Sequence, residues 1–280
     1  MQTLKTNSDI GVSYLGPEGT YTHLATTEFF GPKIDLFPCT SIKEVFDNVF
    51  QGDARYGVVP IENSYVGSVR TTMQMLMTSP LLICGEVEMP IHHNLLSKSD
   101  NLQKIKSIYA HPQALAQCDA WLESSFKNIQ TFQTLSNAEA AIKALNDSSS
   151  AAIASKFAAK IYKLNVIATN IEDHDENTTR FAVIGTKDTD KSKEDKTSLI
   201  FSAIDAKGAG VLHDLLYPLS KHKISMTRIE SLPSMKRKWD YVFFVDIQGH
   251  RNDELVAEAV SEIERKANFF KILGSYKQAR

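Results

Sequence analysis

Cysteine is scarce in this chain of 280 residues, which has three, at Cys39, Cys84 and Cys118. An odd number of cysteines at wide spacing offers no disulfide framework, and no CxxC pair is present to form a zinc site or a redox couple. We therefore predict that all three are reduced thiols and mostly buried.

The chain also lacks an excess of charge of either sign. It has 31 lysines and arginines and 33 aspartates and glutamates, which gives a formal net charge of -2. This balance provides no electrostatic attraction for nucleic acid or for an anionic membrane. We expect its partners to be small molecules or other protein chains.

Long hydrophobic runs are missing as well. No segment is long and apolar enough to span a bilayer, and the N-terminal sequence MQTLKTNSDIGVSYLG has no basic segment followed by an apolar run. The sequence therefore predicts neither a membrane span nor a secretory signal, and we expect a cytoplasmic protein.

Short apolar segments alternate regularly with amphipathic segments of helical length. GVSYL precedes a predicted helix over residues 20–30, DLF precedes another over 41–51, and YGVVPI runs into a polar loop. Further along, IKSIYA, IQTF and AAIA are predicted strands separated by helices. A chain of this length favours more than one unit, and this order predicts two α/β lobes joined by long extended segments.

A charged segment, TKDTDKSKEDKTS over residues 186–198, interrupts the alternation and is typical of a linker. After it the order is strand SLIFSAI, helix, two strands, helix and strand, which is a βαββαβ unit of the ferredoxin-like type. We predict a two-lobed α/β domain over residues 1–186, a linker over 187–196 and a ferredoxin-like domain over 197–280.

Two glycines in GPEGTYTH, residues 16–23, lie between a predicted strand and a predicted helix. Backbone N–H groups at such a helix start can hold an anion, but a purely structural turn has the same spacing. The spacing matches neither the dinucleotide-binding fingerprint nor the P-loop. The residues alone leave both interpretations open.

Polar side chains follow two of the predicted strands. Asn63 and Ser64 come at the carboxyl end of a buried strand, where open α/β sheets bind ligands, although they could equally cap the next helix. Gln113 and Gln117 lie one turn apart after His111 and share one face of a helix. That face is either a ligand site or a solvated surface.

The segment DENTTRFAVIG, residues 175–185, places two hydroxyl groups and a cation directly before a buried strand. Such a strand has no evident structural need for them. Elsewhere, His92 and His93 have no further ligand at metal spacing, so the sequence predicts no metal site. No Ser-His-Asp order or thiol–base pair indicates nucleophilic catalysis.

Four segments, YLGPEGTYTH, VVPIENSYVGSV, HPQALAQC and TTRFAVIG, occur in the order found in the prephenate dehydratase family. RIESLPS and KILGSY resemble the C-terminal regulatory ACT domain of that family, so the resemblance extends from Val12 to Tyr276. It implies a two-lobed catalytic domain similar to periplasmic binding proteins, followed by an ACT domain. Nothing similar to the chorismate mutase helices precedes Gly11, which resembles the monofunctional form.

The resemblance also implies a reaction, the conversion of prephenate to phenylpyruvate with loss of carbon dioxide and water and without a metal or organic cofactor. It implies that Thr179 donates to the leaving hydroxyl and that Phe181 closes the pocket against water. Arg180 would either anchor a substrate carboxylate or brace the cleft by pairing with an acid. The other residues that the resemblance implies are the catalytic donors Asn63 and Gln117 and the substrate-binding residues Gly19, Thr20, Tyr21, Ser64 and Gln113.

The ACT resemblance implies feedback by phenylalanine and a homodimer or homotetramer formed through that domain. The phenylalanine-binding residues that it implies are Gly210, Val211, Leu212, Glu230 and Ser231. The family's usual Gly-Ala-Leu and Glu-Ser-Arg-Pro segments read Gly-Val-Leu and Glu-Ser-Leu-Pro here, with Val211 and Leu232 at the changed positions. A domain that only dimerises therefore stays open as the alternative.

Three further points are left open. Many relatives carry Ser where this chain has Ala110, so one hydroxyl is missing or replaced by Thr20 or Ser64. An arogenate dehydratase would need an extra carboxylate for the substrate ammonium, which Glu62 or Asp175 can supply. A non-catalytic amino-acid-binding protein is a third alternative, because two lobes around a cleft also describe solute receptors.

Overall fold

A computed structural model describes residues 11–202, 209–234 and 241–279 of the chain. The first ten residues of the predicted first domain and residues 203–204, the end of the predicted strand SLIFSAI, lie outside the described residues. The described part is a mixed α/β protein with three sheets. It contains no helix that is both long and apolar enough to cross a membrane.

The elements follow the predicted alternation. The first group comprises β1 (Gly11–Leu15), α1 (Tyr21–Phe30), β2 (Asp35–Cys39), α2 (Ile42–Gln51), β3 (Tyr56–Asn63), β4 (Gly67–Ser68), α3 (Arg70–Thr78) and β5 (Leu82–Pro90). The second comprises β6 (Asn94–Ser97), a 3₁₀ turn (Leu102–Lys104), β7 (Ser107–Ala110), α4 (Pro112–Gln117), α5 (Asp119–Ser125), β8 (Gln130–Gln133), α6 (Asn137–Asn146), β9 (Ser150–Ala154), α7 (Lys156–Tyr162) and β10 (Asn165–Ala168). The third comprises β11 (Thr178–Gly185), β12 (Asp195–Ser202), α8 (Val211–Lys221), β13 (Met226–Pro233), β14 (Tyr241–Gln248), α9 (Glu254–Lys266) and β15 (Phe269–Lys277).

The first sheet has the strand order β2-β1-β3-β11-β5, with β4 paired to β3. β1 is parallel to both β2 and β3, as the predicted βαβ alternation requires. Both connecting helices begin after a hydroxyl side chain that accepts a hydrogen bond from the first turn: Thr20 from the N–H of His23, and Ser41 from that of Glu44. The helices predicted over 20–30 and 41–51 are therefore confirmed to within one residue.

The second sheet has the order β10-β6-β9-β7-β8, and its central strand β9 is buried on both faces. Helix α6 packs here through small side chains, with Ala140, Ala141 and Ala144 in the same core cluster as Ala152 and Ala154 of β9. Small residues on both elements allow their backbones to approach closely. This packing holds α6 against β9, and the hydroxyl of Ser136 caps the start of the helix by accepting from the N–H of Glu139.

The chain divides into two compact units, Met1–Thr72 with Val87–Phe181, and Met73–Glu86 with Ala182–Arg280. The second unit contains the antiparallel sheet β13-β14-β12-β15, in the predicted βαββαβ order of elements. Its core joins Phe201 and Val245 of the sheet to Leu219 of α8 and Ile263 of α9.

Residues 73–86 belong to the second unit, and polar contacts join them to its strands. Lys271 on β15 donates to the carbonyl of Leu76, at the end of α3, with 2.5 Å between Nζ and O. Lys196 on β12 donates to Glu86 on β5 at 2.8 Å, and both side chains are buried. The sequence places this segment in the first domain, and the predicted boundary near 186 stays a prediction.

All three cysteines are buried free thiols, so their prediction is confirmed. Burial raises the pKa of each one, that of Cys84 to about 12. A thiol with a raised pKa is protonated at neutral pH and is a poor nucleophile.

Candidate active site

A cavity of about 190 Å³ lies within the first unit and is lined by residues from two lobes, the first lobe built on the first sheet and the second lobe on the second sheet. From the first lobe and β11 come Asn63, Thr179 and Phe181, and from the second come Gln113 and Gln117. The sequence predicts these five residues and Tyr21 as site residues, and the structure brings all six together around this cavity. His93, His111, Asn137, Asn177 and Thr22 are among the other lining residues.

Strand β11 presents alternate residues to the cavity, as the two-residue period of a strand requires. Thr179 and Phe181 line the cavity, whereas Arg180 between them does not. Arg180 is buried, with its Nε 3.6 Å from a carboxylate oxygen of Glu62. The resemblance left two roles open for Arg180, and this geometry matches the one in which it pairs with an acid and supports the cleft. Glu62, its partner in this pair, does not line the cavity either.

Asn63 determines the hydrogen bonding of Thr179. Its side-chain nitrogen lies 2.9 Å from Thr179 Oγ1 and 2.7 Å from Asn177 Oδ1, with a longer contact of 3.3 Å to the carbonyl of Thr178. Its oxygen accepts from the backbone N–H groups of Tyr65 and Val66 at 3.1 and 3.2 Å. Because the Thr179 hydroxyl accepts from Asn63, its own proton is available to a ligand.

Gln117 and Asn177 continue this network away from Thr179. The nitrogen of Asn177 donates to Gln117 Oε1 at 3.2 Å, and His93 Nε2 lies 2.8 Å from the same oxygen. Gln113 also lines the cavity, with its nitrogen 3.5 Å from Asn63 Oδ1. The shared face of the two glutamines is thus a cavity wall and not a solvated surface.

The segment Gly19–Tyr21 lines an adjoining cavity of about 490 Å³, which shares Tyr21, Thr22, His111 and Asn137 with the first. The backbone N–H of Gly19 donates to His23 Nδ1 at 3.1 Å, and the Thr20 hydroxyl caps α1. The N–H groups left for an anion at this helix start are those of the first helical residues, Tyr21 and Thr22. The predicted anion site at this helix start therefore has fewer free donors than the segment Gly19–Tyr21 would provide, because the Gly19 N–H and the Thr20 hydroxyl are already used within the protein.

Ser64 and Ala110, the two positions at which the sequence left a substrate-binding hydroxyl open, both lie outside the cavity lining. Ser64 does not line the cavity; its hydroxyl accepts from the N–H of Thr178 at 3.0 Å and its own N–H donates to the Thr178 carbonyl at 2.9 Å. Ser64 therefore fastens the start of β11, next to Thr179. Ala110 lies in the buried core of the second lobe, with Ile108 and Leu95, and not in the lining.

The cavity wall is electrically neutral. Among the described residues that line it there is no Asp, Glu, Lys or Arg. Burial lowers the pKa of both His93 and His111, which favours neutral rings. The same described part of the chain has no group of three His, Cys, Asp or Glu side chains arranged to hold a metal ion. The wall offers amides, hydroxyls and helix starts.

Sequence reasoning missed Asn177, and it considered His93 only as a metal ligand, a role that it rejected. Asn177 is 2% exposed and stands two and four residues before Thr179 and Phe181, so the two-residue period of this segment could have identified it. No comparable signal marks His93, because its partner Gln117 is 24 residues away along the chain.

The residues predicted to bind phenylalanine lie on two elements of the second unit. Gly210 precedes α8 with a φ of 90°, and Val211 and Leu212 pack against the core of that unit. Glu230 and Ser231 lie on β13, where Glu230 pairs with Arg228.

Comparison with known proteins identifies the chain's relatives. The family model described as prephenate dehydratase matches residues 12–189. A bifunctional chorismate mutase/prephenate dehydratase of Aquifex aeolicus is 44% identical over 276 residues, covering 99% of this chain and 76% of the relative. A prephenate dehydratase of Methanocaldococcus jannaschii is 37% identical over 273 residues, covering 95% of this chain and 97% of the relative.

Solved structures agree with the sequence relatives. The crystal structure of a prephenate dehydratase from Arthrobacter aurescens, in complex with L-Phe, superposes with a TM-score of 0.88 at 30% identity and covers 96% of this chain and 90% of that one. The family match extends across the residues that form the cavity. The chain therefore belongs to the prephenate dehydratase family.

Proposed function

We propose that this cavity catalyses the conversion of prephenate to phenylpyruvate, with the protein acting as a carbon–oxygen lyase. The observation that carries the proposal is the Thr179 hydroxyl, which lies in the cavity wall and accepts from Asn63 at 2.9 Å, so that its proton can be donated. Prephenate needs such a donor, because its ring hydroxyl must depart with a proton.

The chemistry requires little more than positioning. The bond from the ring to its carboxylate breaks, carbon dioxide leaves, and the electron pair enters the ring as the carbon–oxygen bond to the hydroxyl breaks. Thr179 shares its proton with the departing hydroxide, which leaves as water, and solvent returns a proton to Thr179. A fixed donor that meets this developing charge lowers the barrier to reaction. Phe181, which is buried beside it, keeps bulk water from the reacting carbon.

Neutral donors suit the two carboxylates of prephenate in this cavity. Helices α1 and α6, each of ten residues, begin at its wall with Tyr21 and Asn137. The partial positive charge of a helix start stabilises an anion, and side-chain amides such as that of Gln113 add directed hydrogen bonds. Arg180 contributes indirectly, because its pairing with Glu62 joins β11 to β3 on the side of β11 that faces away from the cavity.

Purified protein is expected to convert prephenate to phenylpyruvate and to leave arogenate largely unchanged. The ammonium group of arogenate needs an acceptor or a carboxylate, yet the described residues that line the 190 Å³ cavity include no Asp or Glu. Glu139 of the adjoining cavity already accepts from the N–H of Leu135, and Glu62 faces Arg180. Phenylpyruvate and phenylalanine formation from equal concentrations of the two substrates measures the preference. Equal turnover would contradict the neutral-wall argument, and turnover of neither would contradict the proposed function.

We further propose that residues 197–280, within the second unit, form an ACT domain that binds phenylalanine and joins chains into a homodimer or homotetramer. Its βαββαβ order supports this, as does the L-Phe complex of the Arthrobacter relative. Gly210 precedes the eleven-residue helix α8, and a Cβ there would meet no atom of the described residues within 4 Å. Its surroundings therefore leave room for a ligand carboxylate against the start of α8.

A Gly210→Ala variant is expected to require a several-fold higher phenylalanine concentration for half inhibition, with the uninhibited kcat unchanged. The new methyl group would occupy the space at the start of α8. Gly52→Ala is the matched control, because Gly52 has a φ of 87° and an added Cβ there would likewise have none of the described atoms within 4 Å. Activity measured against phenylalanine concentration tests the pair. An unchanged response in Gly210→Ala would remove this position from the effector site.

A further inference from the structure

His93 has no role in the reaction as described so far, although it lines the cavity. Its backbone is fixed on both sides: its N–H donates to Glu172 Oε2 at 2.8 Å, and its carbonyl accepts from the N–H of Ile171 at 2.9 Å. The ring is buried and meets the Tyr21 ring edge to face, with 6.5 Å between centroids. The imidazole is therefore held in one place.

The hydrogen bonds that connect Thr179 to His93 have one consistent direction. At the Thr179 end, two backbone N–H groups of the turn after β3 donate to Asn63 Oδ1 at 3.1 and 3.2 Å. An amide has one oxygen and one nitrogen, so the nitrogen of Asn63 must face Thr179 Oγ1 and Asn177 Oδ1. The opposite orientation would point a nitrogen at two N–H donors.

Asn177 and Gln117 extend this fixed direction of hydrogen bonding to His93. Because Asn177 Oδ1 accepts from Asn63, the nitrogen of Asn177 faces Gln117 Oε1, at 3.2 Å. His93 Nε2 lies 2.8 Å from that same oxygen. A carbonyl oxygen can only accept, so His93 must carry a hydrogen on Nε2. Its Nδ1 is buried and has no hydrogen-bond partner among the described residues, as expected for a nitrogen with a bare lone pair.

We propose that His93 is a positioning residue for the dehydration step: its Nε2–H fixes the Gln117 carbonyl and, through Asn177 and Asn63, keeps the Thr179 proton directed at the substrate. Without that donor, Gln117 keeps only the donor from Asn177 and can rotate. Asn177 then has no fixed acceptor for its nitrogen and no longer holds its oxygen on the Asn63 nitrogen. The Asn63 oxygen stays on its two backbone donors, but the contact between the Asn63 nitrogen and Thr179 Oγ1, which orients the Thr179 hydroxyl, is weakened. The proposal rests on the proposed function of the same cavity.

Two substitutions of similar chemistry separate this role from packing. The amide of His93→Asn reaches only as far as the Nδ1 position, whereas the amide nitrogen of His93→Gln reaches the position of Nε2 and can donate to Gln117. We expect His93→Asn to lower kcat by about tenfold, the order of one lost buried hydrogen bond, with little change in KM. His93→Gln is expected to recover most of that loss.

The neighbouring histidine provides a control. His92 is partly exposed, does not line the cavity, and pairs with Glu172 through Nδ1 at 2.7 Å, which an asparagine can reproduce. His92→Asn is expected to stay within about twofold of the wild type, in the range of ordinary surface changes. In a Thr179→Val background, His93→Asn should cause no further loss of kcat, because its effect passes through that hydroxyl.

Ring nitrogen NMR gives a readout independent of turnover. The proposal predicts a protonated Nε2 and an unprotonated Nδ1 for His93 in the wild type, and loss of that preference in Gln117→Leu. An Nδ1–H tautomer in the wild type, equal losses in His93→Asn and His93→Gln, or full additivity with Thr179→Val would overturn it. If the wild type does not convert prephenate, the proposed function fails, while the NMR result still decides whether His93 holds Gln117.

Discussion

A Thr179→Val variant is expected to lose about 10²–10³-fold in kcat with little change in KM, the usual effect of removing one transition-state donor. Valine keeps nearly the shape of threonine but lacks the hydroxyl that Asn63 holds from 2.9 Å. Ground-state binding of the carboxylates uses other donors, so KM has little reason to change. Steady-state kinetics of phenylpyruvate formation measures both parameters.

Thr178→Val is the matched control for this prediction. Thr178 precedes Thr179 on β11 and does not line the cavity, and its links to Ser64 use backbone atoms that the substitution leaves in place. We expect kcat to change by less than about threefold, as for an ordinary change outside the site. Comparable losses in the two variants would show that the strand position and not the Thr179 hydroxyl matters.

The largest expected effect on stability is that of Lys196→Met. Lys196 and Glu86 form an ion pair with 2.8 Å between Nζ and Oε1 and side chains 4% and 2% exposed, and the same Glu86 oxygen accepts from the N–H of Ala279 at 3.0 Å. Removing the cation leaves the carboxylate buried beside an apolar side chain. The free energy of unfolding should fall by about 3–5 kcal/mol, measured by urea denaturation followed by circular dichroism.

An exposed ion pair supplies the control for the same substitution. Lys43 and Asp47 lie one helical turn apart on α2, with side chains 70% and 41% exposed. Lys43→Met should change the free energy of unfolding by less than about 0.5 kcal/mol. The double variant Lys196→Met/Glu86→Met should recover most of the loss, because both charges of this buried pair are then removed. A Lys196→Met effect as small as that of Lys43→Met would contradict the account of this pair.

Local sequence patterns predicted the elements well because those patterns have local causes. The hydroxyl caps of α1 and α2, the two-residue period of β11 and the isolated cysteines each follow from neighbouring residues. The candidate site was predictable to the level of Thr179, Asn63 and Gln117, and for these the family resemblance supplied the roles that spacing left open.

The contacts that determine the role of each site residue could not be predicted from the sequence. A period of two divides β11 into Thr179 with Phe181 and Thr178 with Arg180, but the neighbouring strands β3 and β5 decide which set faces the cavity. The partner of Arg180 comes from β3, 118 residues earlier by number, which no local pattern reveals. The role of His93 could not be predicted for the same reason. Its tautomer depends on the side-chain amides of Asn63, Asn177 and Gln117, which only the fold brings together.

The most direct test of the central claim is kcat for prephenate in a series at one position, Thr179→Ser beside Thr179→Val and the wild type. Serine retains the hydroxyl and loses only a methyl group, so the account predicts that Thr179→Ser recovers most of the wild-type kcat while Thr179→Val stays about 10²–10³-fold lower. If Thr179→Ser were as slow as Thr179→Val in folded protein, the hydroxyl would not be the donor and the account of this cavity would be wrong.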